Sequence, residues 1–235
     1  ELVGFSATTP SFGAARGLAR AVRELLPAAP IVVGGAHATA APEHALADGA
    51  FDAAVLGEGE ATVVELCRHS AQQGIEDLDR IAGLALRVDG SVRRTPPRPP
   101  VEDLDELPFP ARHLLPPLSA YHPTPASYRA LPVGVLMTSR GCPFRCTFCD
   151  RAVFGNRCRM HSPKRVVEEV RQLVHRYGAR EIRFFDDTFT LNRRRALAIC
   201  ERLLLAGIRL PWTCLTAVRA VTPELLRAMR RAGCW

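Results

Sequence analysis

Three of the chain's eight cysteines fall within eight positions, as Cys142, Cys146 and Cys149 in the stretch RGCPFRCTFCD. Thiolates are soft ligands, and so tight a group is read first as a metal site. Zinc ribbons and fingers use pairs of Cys-x2-Cys and close four ligands around the metal. Here no second pair follows, because Cys158 comes nine residues on and Cys200, Cys214 and Cys234 stand singly in helix or strand patterns. Ferredoxin-type iron–sulfur clusters also take four thiolates. Three ligands leave one coordination position open, and an open iron on a four-iron cluster can bind a substrate directly. Zinc, and an irregular loop without metal, are the alternatives. Gly141 and Pro143 favour a cluster, since a loop that wraps one needs permissive and preset dihedrals beside its ligands.

The elements that must carry this loop are legible around it. VGVLMTS (133–139) reads as a buried strand running into the cysteines, and Ser162-Pro163 caps and opens a helix after them. EIRFFDD (181–187) and LPWTCLTAV (210–218) read as further strands, and residues 192–206 and 222–233 as further helices. Three βα units in series predict the first half of a (β/α) barrel over 133–235, whose carboxyl-terminal strand ends are where active sites gather.

The first ninety-odd residues predict another α/β unit. LVGFSA (2–7), IVVGG (31–35) and AAVLG (53–57) are β-prone. Residues 11–26 carry a helical pattern through Leu18, Val22 and Leu25, with further helices at 42–47 and 60–69. LALRVDGSVRRT (84–95) reads as a hairpin turning at Asp89-Gly90. The expected fold class is therefore α/β, a partial doubly wound, Rossmann-like sheet over 1–95 followed by the half barrel. Between them, residues 96–132 are too rich in proline for helices or central strands and read as a linker. The chain reads as cut at both ends, because it starts inside a strand and stops where a fourth barrel strand is due.

Composition narrows the class of partner. With 235 residues, 47% hydrophobic and 23% charged, the chain is long enough for one or two globular domains. No apolar run approaches the ~18 residues of a membrane span, and no secretory or transit signal is visible. The cytoplasm, where thiols stay reduced, is the expected compartment. The net charge of +7 comes almost wholly from arginine, with Lys164 the only lysine. These arginines are scattered along helices, as in Arg193, Arg194 and Arg195, without interleaved aromatics, and read as solvated faces rather than a nucleic-acid surface.

At this point the residues resemble a family. Cys142, Cys146, Phe148 and Cys149 match the Cys-x3-Cys-x-Phe-Cys signature of the radical S-adenosylmethionine (SAM) enzymes. The resemblance implies three thiolates holding a 4Fe-4S cluster whose fourth iron chelates SAM. It implies one-electron cleavage of SAM to a 5′-deoxyadenosyl radical, and Phe148 beside the adenine. It also implies an external one-electron reductant of flavodoxin or ferredoxin type, and a small-molecule substrate. Asp186 and Asp187 in FFDDTFT stand where family members meet the SAM amino group, although a plain turn or cap at Asp187-Thr188 is the alternative. Arg219 stands where it could meet the SAM carboxylate, or be a surface arginine; Arg157 and Arg159 are open in the same way.

VGFSATT, IVVGGAHATAAPEHA and AAVLGEGEAT, in that order and ahead of the cysteine loop, resemble the cobalamin-binding domain fused before certain radical SAM barrels. Ser6 and Thr8 offer hydroxyls at the end of the first strand, while Gly34-Gly35 and Gly57 and Gly59 allow a bulky ligand near the backbone after the next two. Each glycine pair alone could be a turn. His37 lies just past Gly35 and either lines the site or is a satisfied loop histidine. The branch resembled is that of anaerobic cyclases and methyltransferases. Two other readings stand beside it: a radical SAM enzyme whose first domain binds substrate without cobalamin, and a non-catalytic Fe-S electron carrier.

Overall fold

The computed structural model describes residues 2–235 and divides them into two units, one of 2–101 with 144–156 and the other of 102–143 with 157–235. In the first unit, the run Ile31-Val32-Val33 shows why a sheet forms. Alternate side chains of a strand point to opposite faces, so a continuous apolar run suits a strand buried on both. Ile31 and Val33 join a core with Phe12 and Ala19, whereas Val32 joins a second core with Val55, Leu66 and Leu84.

Strands β1 (Val3–Ser6), β2 (Ile31–Gly34) and β3 (Ala53–Val55) are parallel neighbours, with Ser6 opposite Gly34 and Val32 opposite Ala53. Strands β4 (Leu84–Val88) and β5 (Ser91–Arg94) add an antiparallel hairpin, giving the order β1-β2-β3-β4-β5. Its two-residue turn has φ of 49° at Asp89 and 78° at Gly90, the left-handed pair that matches strand twist.

Helix α1 (Phe12–Leu25) buries a different stripe from the one expected. Leu18 and Leu25 are 60% and 79% exposed, and the sheet instead receives Phe12, Ala15 and Ala19, with Val22 partly packed. Both stripes satisfy a 3.6-residue period. The small alanines face the sheet, where a short side chain lets the helix approach closely. The loop after β2 also contains a helix absent from the expectation, α2 (Ala36–Ala40), before α3 (Pro42–Ala45); α4 runs Glu60–Gln73.

The second unit has a parallel sheet in the order β10-β9-β6, from β6 (Val133–Leu136), β9 (Glu181–Phe184) and β10 (Trp212–Cys214). Helices α5 (Pro163–His175), α6 (Arg193–Leu205) and α7 (Pro223–Arg231) pack with it around Phe184, Phe189, Ile199 and Trp212. Each helix is capped by the side chain before it: Ser162, Asn192 and Thr222 accept from the amides of Arg165, Arg195 and Leu225. Cys234 makes a parallel bridge with Trp212 at the free side of β10. Two short strands escaped the sequence pattern, β7 (Ser139–Arg140) and β8 (Arg159–Met160), which pair antiparallel and close the base of the cysteine loop.

From Glu102 onward the proline-rich stretch belongs to this second unit and holds only short 3-10 turns. It is pinned by specific contacts: Leu104 is buried, Arg165 donates to Leu107 O at 2.8 Å and lies over the Phe109 ring, and Arg112 pairs with Glu169 at 2.5 Å. Proline supplies few backbone donors, so side chains of α5 take over the fastening that a sheet ladder would give.

Candidate cofactor sites

Strand β6 ends at Leu136, and the three residues that follow lead into the cysteine loop. Their polar groups find partners from distant elements. The buried Asp186 carboxylate, just past β9, accepts from Thr138 N and Thr138 Oγ1, both at 2.5 Å, and from Ser139 N at 3.2 Å. Its oxygens thus hold the loop's root. Asp187, next along, is exposed, and desolvation together with the neighbouring Asp186 charge raises its pKa above the ordinary carboxylate value. Thr188 is buried, donates to Asp187 O at 2.8 Å, and lies 3.9 Å from Cys142 Sγ.

Sequence reasoning missed Arg195 and Cys158. Arg195, 7% exposed on α6, donates from Nε to His161 O at 2.7 Å and from Nη2 to Thr138 O at 2.8 Å. Burial pushes the Cys158 thiol pKa up. The available signal for Arg195 was its place one turn into an otherwise amphipathic helix, on the face shared with Ile199 and Leu203. Cys200, Cys214 and Cys234, which the sequence left single, influence one another. Burial pushes the Cys200 thiol up to about 11, and a hydrogen bond with Cys234 raises Cys214.

All three loop cysteines are free thiols; Cys142 and Cys146 are partly buried and Cys149 is exposed. Cys146 and Cys149 share one turn, with Cys149 N donating to Cys146 O at 3.2 Å. Among the described residues no three His, Cys, Asp or Glu side chains are gathered closely enough to hold a metal ion, so the fit to a cluster rests on the donor set. That set, three reduced thiols in a loop bounded by Gly141 at φ +86°, suits an iron–sulfur cluster with one iron left open. Phe148 is 87% exposed, and Arg219 is exposed beyond β10.

In the first unit, the carboxyl ends of β1, β2 and β3 lie side by side. Ala7 N donates to Gly34 O at 3.0 Å, and Gly35, at φ +92°, passes so close to β1 that a Cβ would stand 2.9 Å from Ala7 O and 3.0 Å from Ser6 Oγ. Thr39 on α2 joins the two glycine loops, donating to Gly35 O at 2.9 Å and accepting from Gly57 N at 3.0 Å. Gly34 and Gly59 both abut Val55. Ser6 is exposed, while the Thr8 backbone and hydroxyl bond Ser11 and so cap the turn into α1. His37 is buried just past β2, and its backbone N–H donates to Ala7 O at 3.1 Å. Its Nδ1 meets Thr9 Oγ1 at 3.1 Å, its Nε2 meets His44 Nδ1 at 2.9 Å, and its ring lies 4.2 Å from that of Phe12. Desolvation, and then the charge of His44, lower its pKa.

The Radical SAM superfamily model matches residues 136–235, and the B12 binding domain model matches residues 1–67. The chain belongs to the cobalamin-binding radical SAM family. It is 40% identical over 238 residues to an uncharacterized methyltransferase of Pyrococcus horikoshii, covering 100% of this chain and 50% of that protein. It is 30% identical over 241 residues to the anaerobic magnesium-protoporphyrin IX monomethyl ester cyclase of Cereibacter sphaeroides, covering 99% and 38% respectively. The chain therefore spans half or less of these relatives' length. Its fold is similar to that of the cobalamin-dependent SAM radical enzyme OxsB, solved with aqua-cobalamin and SAM bound. That likeness has a TM-score of 0.80 at 20% identity and covers 100% of this chain and 34% of that one. The cofactors of this family of radical SAM proteins are a 4Fe-4S cluster, SAM and cobalamin. No helix among the described residues is long and apolar enough to cross a membrane.

Proposed function

We propose that this chain is the cofactor-holding part of a cobalamin-dependent radical SAM enzyme acting on a small organic molecule, by methyl transfer or cyclisation. The observation that carries the reading is the set of three free thiols, Cys142, Cys146 and Cys149, in a loop rooted just past β6. When bound, the cluster would supply the electron that cleaves SAM into a hydrogen-abstracting radical, and cobalamin the methyl group in a methyl-transferring member.

The residues divide this work. Cys142, Cys146 and Cys149 would hold the cluster as thiolates, and Phe148, Asp186, Asp187 and Arg219 are the residues that would contact SAM. Residues 1–95 would form the cobalamin unit, with Ser6 and Thr8 at the end of β1, Gly34, Gly35 and His37 at the end of β2, and Gly57 and Gly59 after β3 as the residues that would hold the cofactor. Thr39 supports this reading by keeping the two glycine loops in register. Residues 96–132 connect the units and 133–235 form the first part of the barrel. The electron comes from an external flavodoxin- or ferredoxin-type protein.

Anaerobic reconstitution tests this. The expected result is about four irons per chain, cleavage of SAM to 5′-deoxyadenosine under strong reductant, and cobalamin retained through gel filtration. Intact SAM in the presence of a reduced cluster would refute the catalytic reading, and loss of cobalamin alone would make the first unit a binding module of another kind.

A further inference from the structure

We propose that Asp186 and Arg195 are positioning residues that clamp the root of the cysteine loop and so set the backbone from which Cys142 projects. This rests on the reading of that loop as the cluster holder.

Thr138 is the clamped residue. Although it is buried outside the main sheet, each of its polar atoms is engaged. Asp186 takes its N–H and its hydroxyl, and its carbonyl accepts from Arg195 Nη2 at 2.8 Å and from His161 N at 3.0 Å. The same carboxylate takes Ser139 N, and the same guanidinium reaches His161 O, so the two strands of the β7–β8 ladder are gripped at one level. Asp105 extends the grip outward, accepting from Ser162 N at 3.0 Å and meeting His161 Nδ1 at 3.1 Å. Hydrogen bonds to an ionised partner are stronger and shorter than neutral ones, and a site must be held to within about half an ångström to work. Cys142 follows Thr138 by four residues and lies 3.9 Å from Thr188, two residues past Asp186. One short segment thus fixes the loop's root and borders its first ligand.

The amides of Thr138 and Ser139 both meet Oδ1 and the Thr138 hydroxyl meets Oδ2. Because a hydroxyl can also accept, asparagine could keep all three contacts, and alanine is the substitution that removes them. In the metal-free chain, Asp186→Ala should speed amide exchange at Thr138 and Ser139 about tenfold, as the loss of one such bond implies. In the reconstituted protein it should hasten iron loss to a chelator and alter the electron paramagnetic resonance spectrum of the reduced cluster before SAM is added. Thr138→Val, which removes one arm, should give the same changes in smaller measure, and Arg195→Lys should restore more than Arg195→Gln. Circular dichroism identifies a variant that does not fold, in which case Thr138→Val carries the test. If exchange, iron retention and spectrum stay unchanged while SAM binding weakens, Asp186 is a SAM contact and the clamp is refuted. An unsubstituted protein that binds no iron would overturn the reading of the loop, and the exchange measurement would still decide the clamp.

Discussion

Glu169→Ala should unfold the second unit far more readily than its single lost contact suggests. Glu169 and Arg112 are a buried pair, with side chains 6% and 10% exposed and 2.5 Å apart. Arg112 Nη2 also donates to Val135 O at 3.1 Å, on the edge of β6, while its Nη1 is already buried without a partner. Removing the carboxylate leaves a guanidinium out of water with one carbonyl to answer five donors. Breaking a buried pair in this way costs about 3–5 kcal/mol, more than a hundredfold in the unfolding equilibrium and on the order of 10 °C in Tm. Replacing both members, as Arg112→Met with Glu169→Leu, removes the stranded charge and should return stability to within about 1 kcal/mol of the original. Urea unfolding followed by tryptophan fluorescence is the assay, because both tryptophans, Trp212 and Trp235, lie in this unit. A single variant that costs less than about 1 kcal/mol would show that the strap is not held by the pair. A double variant as unstable as the single one would show that stranded charge is not the cause.

Acid should weaken the first unit through His37. Its folded pKa lies below the ~6.5 of an unfolded histidine, because desolvation, then His44, disfavour the charged ring. The unfolded chain therefore binds more protons in that window, and stability, complete above about pH 6.5, falls as pH drops through it. Amide exchange in β1 and β2 at pH 7.5 and 5.5 should show the loss, and an equal loss in His37→Gln would assign it elsewhere. Gly35→Ala should cost more than Gly49→Ala and should lower cobalamin retention, since both have positive φ but only the former meets Ala7 O at 2.9 Å. Strain of about 1–3 kcal/mol is expected from the backbone alone, so equal melting points for the two variants would contradict the close approach. Cys149→Ala should abolish both iron retention and SAM cleavage while leaving the far-ultraviolet spectrum unchanged; four irons per chain in that variant would place the ligands elsewhere.

What the sequence determined by itself was whatever depends on neighbours along the chain. The strands declared themselves through β-branched runs such as Ile31-Val32-Val33, the barrel helices through Ser162-Pro163 and Thr222-Pro223, and the hairpin through Asp89-Gly90. The candidate ligand set was legible for the same reason, because the three thiols stand within eight residues of one another along the chain. Tertiary structure decided what depends on which distant groups meet. A buried polar group must find partners, but its own sequence does not say whose. Nothing near Asp186 in the sequence announced that it meets Thr138, 48 residues away. Thr39, which the sequence did not single out, joins two glycine turns. The partners of His37, which are Thr9, Phe12 and His44, also come from packing. The stripe of α1 that faces the sheet was likewise undecided by periodicity, since two stripes fit the helical repeat and only packing against β1 and β2 selects the alanines.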